Sequence, residues 1–242
     1  MSEVRSTKKE KQPVIEYNGR KYIRIPVKTH VITKEDSIVD VVKKYAQETV
    51  KENDIVFISE KAVAITQGRA YPMSEIKPRP LAKLLSKYVT KTPSGIGLGI
   101  PETMEMALRE CGVLRILFAA VVSFLGKLFG RKGDFYRVAG YKASSIDGPT
   151  PNTLPPYNKY VVLGPEYPDQ VAKKISDSIK AEVAIVDIND LGGNILGTSK
   201  STLDRKTLAG ILRDNPLGQC CEQTPMGIIR SAESELINTI NL

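Results

Sequence analysis

Residues 183–188, Val-Ala-Ile-Val-Asp-Ile, form a nearly unbroken apolar run, the pattern of a strand covered on both faces. The run ends in Asp187, Asn189 and Asp190 and then meets Gly192-Gly193. Two readings fit that ending: a turn rich in Asn and Asp because these residues tolerate turn geometry, or oxygen ligands for a hard cation, fixed by a strand beside a flexible turn. Further upstream, Tyr22-Ile23-Arg24-Ile25-Pro26-Val27 alternates as a first strand and is expected to stop at Pro26. Residues 37–51 carry Ile38, Val41, Val42 and Tyr45 at helical spacing, with Asp36 or Ser37 as N-cap. Ile55-Val56-Phe57-Ile58 reads as a short buried strand followed by Ser59-Glu60-Lys61. A polar loop is expected after each strand, an order in which nucleotide sites are commonly built.

A Gly-rich stretch at 94–103 precedes a helical pattern reaching about Glu110, with Pro101 and Glu102 as start signals. Its spacing fits neither the dinucleotide fingerprint nor the P-loop, so a tight turn or close helix packing is the preferred reading. Strand 160–163, amphipathic helix 171–180 and the 183–188 strand suggest a crossover unit, with Asp147 and the Asp187/Asn189/Asp190 cluster near one rim. The fold class is therefore α/β, of mixed α+β character. Residues 112–130 are strongly apolar but uncharged only from Ile116 to Gly126, short of the roughly 20 residues a bilayer span takes. A helix buried in the core or in a dimer interface is expected there. The alternative is an interfacial membrane helix with Arg115, Lys127, Arg131 and Lys132 facing headgroups.

Composition narrows the chemistry. The 242 residues have 35 Lys and Arg against 27 Asp and Glu, a net charge of +8, which favours anionic partners. Residues 1–13 read as a disordered basic tail and 14–242 as a single domain, with an apolar helical insertion at about 111–140. Basic residues elsewhere are interleaved with acids, and there is no Trp, which argues against nucleic acid. Cys111, Cys220 and Cys221 form no CxxC pair and His30 is the only histidine, so a Cys/His zinc site and a His-based nucleophilic triad are both disfavoured. The vicinal pair Cys220-Cys221 and the lack of a signal-peptide pattern predict a reduced, cytoplasmic setting.

The order of these features resembles the γ-glutamyl ligases of the deazaflavin coenzyme F420, from about Ile25 to Gly192-Gly193. The loop from Pro26 to Ile32 looks like that family's first nucleotide-binding loop, which would place Thr29, His30, Val31 and Ile32 on the nucleotide. Asp54-Ile55-Val56-Phe57-Ile58-Ser59-Glu60-Lys61, with Gly68-Arg69 beyond it, looks like the strand with Ser/Thr-x-Lys and the Gly-Arg pair. Ile146-Asp147 looks like the loop whose aspartate binds a divalent metal, with Thr150 close by as a nucleotide contact. Leu163-Gly164-Pro165-Glu166-Tyr167-Pro168-Asp169 resembles the Pro-Asp-rich start of a helix, and Asn189-Asp190-Leu191-Gly192 falls on the Asp-Thr-x-Gly motif.

The resemblance implies mixed sheets with packed helices, an intertwined homodimer, and GTP-dependent amide formation. A substrate carboxylate would become an acyl phosphate that the amino group of L-glutamate attacks. Two Mg²⁺ or Mn²⁺ ions, with K⁺ as a further ion, would accompany GTP. Asp147, Asn189 and Asp190 would be metal ligands, Lys61 a point charge on the phosphates and Ser59 a nucleotide contact, while Arg69, Asp187, Glu222 and Gln223 would support substrate or metal. No protein nucleophile is required.

The chain departs from the family at Asn189-Asp190 (usually Asp-Thr), at Gly193 (commonly Arg), at Gly148-Pro149-Thr150, and near Ile65, where a second lysine is missing. Each departure changes a contact without removing carboxylates. For Glu222 and Gln223 a capped turn before Met226 is the preferred reading. Two rival functions stand beside the first: a ligase of the same fold acting on another carboxylate such as a folate, and a non-catalytic protein binding anions or a membrane surface through residues 127–132.

Overall fold

The computed structural model describes residues 11–89, 96–151, 153–189, 192–218 and 222–232. In chain order its elements are β1 (Val14–Tyr17), β2 (Arg20–Val27), α1 (Ile38–Ala46), β3 (Ile55–Ser59), α2 (Glu60–Thr66), β4 (Ala70–Pro72), α3 (Pro80–Leu85) and α4 (Pro101–Cys111). They continue with α5 (Val113–Leu128), α6 (Asp134–Ala139), α7 (Tyr141–Ser144), β5 (Tyr160–Val162), α8 (Pro168–Ile179), β6 (Glu182–Asn189), β7 (Gly192–Thr198), α9 (Arg205–Ile211) and β8 (Met226–Ser231). The mixed α+β class is as expected. The chain divides into two compact units, one built mainly from 37–59 and 167–242 with the N-terminal strands, the other from 60–166 with 32–36.

The first unit is organised by a six-stranded sheet in the order β1-β2-β8-β3-β6-β7, in which β3 and β6 run parallel and the other neighbours antiparallel. Strand β6 confirms the apolar run: Val183, Ala184, Ile185 and Val186 are all buried, as a strand covered on both faces requires. Alternation then divides these side chains between the two faces. Phe57, Ala184, Val186 and Ile229 pack with Leu208, Ile211 and Leu212 of α9 and its end. Their sequence neighbours of opposite parity face α1 and α8, whose buried stripes are Val41, Val42 and Ala46, and Ala172, Ile175 and Ile179. Helix α1 begins after Ser37, whose side chain accepts from Asp40 N–H as the expected N-cap.

Three expectations are corrected here. Strand β2 does not stop at Pro26 but pairs through it, Pro26 opposite Gly227 and Val27 opposite Met226. Arg24 N–H donates to Pro13 at 2.7 Å, so the amide side at Pro26 points the same way, past the stretch where β1 pairs, and the missing N–H interrupts no ladder. No polar loop follows β3, because Glu60 opens α2 at once and is itself buried. The proposed β5-α8-β6 crossover does not exist: β5 pairs antiparallel with β4 in a separate two-stranded sheet, and β6 takes β3 as its parallel neighbour.

Close packing of β7 on the start of α8 rests on one residue. A Cβ on Gly197 would lie 2.3 Å from the Pro168 carbonyl carbon and 2.5 Å from Asp169 N, backbone atoms that cannot rotate away. Gly197→Ala is expected to destabilise the protein by about 1–3 kcal/mol, read from the urea midpoint at unchanged m-value.

In the second unit α4 is the core element. Thr103 to Leu108 are buried in succession, the signature of a helix covered all round. Around it pack Ala82, Ile116, Ala119, Ala139, Ala143, Ile146, Val161 and Leu163. The helix starts with Pro at its first position and Glu102 in its first turn, as its signals require, and ends at Gly112, φ 84°. Gly97, φ 51°, leaves room for the Tyr136 hydroxyl, since a Cβ there would lie 2.9 Å from it, so close packing accounts for this glycine, while Gly99 N–H donates to the Ile96 carbonyl at 3.0 Å in a tight turn.

One buried carboxylate in this core needs explanation. Burial pushes Glu105 up, but hydrogen bonds and charge from Arg79 and Arg109, at 3.0 and 2.9 Å, hold it below the ordinary glutamate value of 4.5. A carboxylate lowered on folding stabilises the protein fully above its unfolded value, and that contribution is lost as pH falls through the folded one. Glu105→Gln should therefore lower stability at neutral pH and flatten its fall below about pH 4.5 in urea melts across the acid range.

The expected core helix at 112–130 is α5, and only Ile116 and Ala119 in it are buried. Burial in the core is thus corrected for most of its apolar residues. Among the described residues no single helix is long and apolar enough to cross a membrane; α4 and α5 qualify only as a pair bent by 116°.

Candidate active site

Strand register brings several expected site residues of the first unit to one rim. Met226 lies opposite both Val27 and Ile58, and Ser59 lies opposite Val186. The C-terminal ends of β2, β3 and β6 and the N-terminal end of β8 therefore emerge together. Thr29, His30 and Val31 leave β2 there, Ser59 closes β3, Asp187 and Asn189 end β6, and Glu222 and Gln223 lead into β8. Side chains two apart share a strand face, so Asp187 and Asn189 point to the same side.

Backbone hydrogen bonds knit this rim. Thr29 N–H donates to the Gln223 carbonyl at 2.9 Å, and Ser59 N–H donates to the Pro225 carbonyl at 2.8 Å. Gln223 takes a left-handed φ of 56°, and Thr224 Oγ1 donates to the Leu217 carbonyl at 2.5 Å. Residues 222–225 are thus an irregular segment tied directly against the expected nucleotide loop. Thr29 Oγ1 donates to the His30 carbonyl at 2.7 Å, and His30 Nδ1 lies 2.9 Å from the Tyr45 hydroxyl, the two rings in tilted contact. The departure at Gly193 has a local counterpart: a Cβ there would meet Ile188 Cγ2 at 2.4 Å, so this hairpin leaves no room for a side chain at 193. Asp190 lies outside the described residues.

The second unit holds the other expected residues. Lys61 Nζ lies 2.8 Å from Asp147 Oδ2, with both side chains a little over 40% exposed. Asp147 is held by its own backbone, which exchanges two hydrogen bonds with Val162 at 2.8 and 2.9 Å. The carboxylate is thereby positioned by β5, while Lys61 comes from the first turn of α2. Thr150 Oγ1 shares a hydrogen bond with Thr153 Oγ1 at 2.8 Å. Ile32 accepts at its carbonyl from the Tyr157 hydroxyl at 2.7 Å. Burial, with Tyr160, Glu35 and Asp36 adding negative charge around it, pushes Tyr157 up to about 12, so it remains a proton donor at any physiological pH.

Arg69 is fully engaged. Its Nε donates to the Gly164 carbonyl at 2.7 Å, Nη1 to Glu166 at 3.0 Å and Nη2 to Glu110 at 2.7 Å. Burial pushes Glu110 up, but Arg69 and Lys142 outweigh it and hold the carboxyl below its ordinary range. Arg69 therefore clamps the segment 164–166 onto α4.

Reasoning from sequence missed Glu60 and Tyr141, whose hydroxyl donates to Glu60 Oε2 at 3.1 Å. The only signal was a carboxylate between Ser59 and Lys61 at a strand end, a place where burial was not expected.

Each unit carries donors that suit a hard divalent cation. Asp187 and Asn189 in the first and Asp147 in the second offer oxygen alone, and among the described residues no three His, Cys, Asp or Glu side chains group as a ready cage. Mg²⁺ is usually held by one or two carboxylates together with substrate phosphates. Such a site needs no third protein carboxylate.

Residues 26–196, well over half of the chain, match the family model described as F420-0:Gamma-glutamyl ligase. The chain belongs to that family. It is a ligase of the F420-0 γ-glutamyl ligase type, and the match spans the first loop, Ser59-Glu60-Lys61, Asp147 and β6, while β8 lies beyond it. No curated protein matches the chain.

Proposed function

We propose that this member of the family joins L-glutamate to a substrate carboxylate, F420-0 in the first instance, at the expense of GTP. The observation that carries the reading is the Lys61–Asp147 pair inside the matched region: a cation and an oxygen ligand 2.8 Å apart, both open to solvent. A carboxylate oxygen of the acceptor attacks the γ-phosphorus and GDP leaves. The glutamate amine then attacks the acyl carbon, phosphate leaves, and the amine proton is lost to solvent. Lys61 supports negative charge on the phosphates through both displacements. In the first unit Thr29, His30, Val31 and Ser59 hold the nucleotide, with Gln223 fixing the loop. In the second, Ile32 and Thr150 do so.

Asp147 in one unit, and Asn189 with Asp190 in the other, are the residues that would hold Mg²⁺ or Mn²⁺. When bound, these ions neutralise triphosphate charge and polarise the phosphoryl oxygen. L-Glutamate approaches near Glu222 and Asp187. The protein is proposed to act as a homodimer, with K⁺ as an auxiliary ion.

The test is calorimetric titration of GTP and ATP with Mg²⁺ or Mn²⁺, in K⁺ and in Na⁺, followed by phosphate release and product mass with F420-0 or a folate as acceptor. Metal-dependent GTP binding and one glutamyl amide formed per phosphate are expected. Absence of metal-dependent nucleotide binding would overturn the reading. Turnover with the folate alone would move the acceptor and leave the mechanism.

A further inference from the structure

Helix α5 carries an apolar stripe that the rest of the protein leaves uncovered. Leu114, Phe118, Val121, Leu125 and Leu128 recur at spacings of four and three, which places them along one side of the helix. All five are exposed, Leu114 by 84% and Phe118 by 62%, and Phe124 and Phe129 beside them by 64% and 82%. The buried residues, Ile116 and Ala119, belong to the opposite side. The polar groups near the stripe are of one sign. Arg115 stands at its start, its Nε donating to the Val138 carbonyl at 3.1 Å, and Arg131 and Lys132 lie just past its end, all exposed; Lys127 is exposed too but lies on the side of Ile116, and residues 113–133 contain no Asp or Glu. The next carboxylate, Asp134, is buried and neutralised by Arg131 and Arg137 at 3.2 and 2.8 Å.

We infer that α5 docks this protein onto an anionic lipid surface, lying in the interface rather than crossing it. Charge complementarity selects that occupant. A second copy laid symmetrically on the same stripe would set cations against cations in either direction, with no carboxylate on the helix to answer them. Anionic headgroups supply the missing charge, and the large apolar side chains enter the acyl boundary, the two-signal arrangement that interfacial helices need. Crossing is excluded by the partner in the bent pair, since α4 is the buried core of its unit.

The test is sedimentation of the full chain with phosphatidylcholine vesicles, with and without phosphatidylglycerol, alongside its oligomeric state by sedimentation velocity without lipid. Binding is expected only with phosphatidylglycerol, weakened by added salt. Lys132→Gln should weaken it by about 5-fold, and Phe118→Asp with Leu125→Asp should abolish it without changing the thermal midpoint. Lack of binding to phosphatidylglycerol vesicles, or equal binding to neutral ones, overturns the inference. So does a dimer that Phe118→Asp with Leu125→Asp dissolves, which would assign the stripe to a second copy. Neither readout involves nucleotide, so each stands apart from the ligase assignment.

Discussion

Lys61→Met is expected to lower kcat/KM for GTP in amide formation by about 10²–10³-fold while leaving the fold intact. The two halves of this result rest on different magnitudes. The Lys61–Asp147 pair is more than 40% exposed on both sides, and such pairs contribute about 0–1 kcal/mol to stability. A point charge on a transferring phosphoryl group acts where charge develops, and its removal is felt in the barrier. Lys61→Arg should recover only part of the rate, because a planar fork does not reproduce a compact ammonium. Asp147→Asn should cost a similar factor, and the double variant little more than either single one if the pair acts as a unit. Steady-state kinetics with thermal melts of the same samples checks this. Loss of rate in step with loss of folded protein, or unchanged GTP kinetics, would refute the assignment.

The same pair shows what a sequence can reveal of this site. Asp147 and Lys61 are far apart in the chain, and only family order brought them into one expectation; the structure then places them 2.8 Å apart. Strand β6 was legible because a strand buried on both faces must be apolar at nearly every position. Its partners were not. Strand β8 lies between β2 and β3 in the sheet, yet residues 226–231 carry no local mark of centrality, since pairing depends on contacts distant in sequence. Strand β5 failed in the same way, because a short apolar run does not say which sheet it joins. Apolarity in α5 was read as burial, but a hydrophobic stripe records only that something covers it, and here the protein's own core covers two residues. Residues 222–225 carried no sign of their contact with Thr29, which is a backbone hydrogen bond that side-chain identity does not encode.

Removing either partner of the Asp54–Arg230 pair should destabilise the protein by about 3–5 kcal/mol, the largest stability effect expected of any single substitution considered. Arg230 sits on β8 with 6% of its side chain exposed and Asp54 precedes β3 with 1%. Nε reaches Oδ1 at 3.0 Å and Nη2 reaches Oδ2 at 2.7 Å, a bidentate fork. Two further hydrogen bonds hold the pair: Nη2 donates to the Thr49 carbonyl at 2.8 Å, and Lys51 N–H donates to Asp54 Oδ2 at 2.8 Å. The pair therefore joins β8 to the turn before β3, at the end of the strands away from the rim of Thr29, Ser59 and Asp187. Asp54→Ala leaves a buried guanidinium unanswered, and Arg230→Met leaves a buried carboxylate, so each single change carries a desolvation cost the pair did not. Replacing both by apolar residues removes that orphaned charge, and the double variant should be more stable than either single one, giving a coupling of about 1–3 kcal/mol. Urea unfolding of the four proteins closes the cycle. Single variants within about 1 kcal/mol of the parent would mean that water reaches the pair and that it behaves as a surface one. Ligand binding should survive in Arg230→Met at temperatures where it remains folded, because the pair holds the sheet and touches none of the residues assigned to GTP.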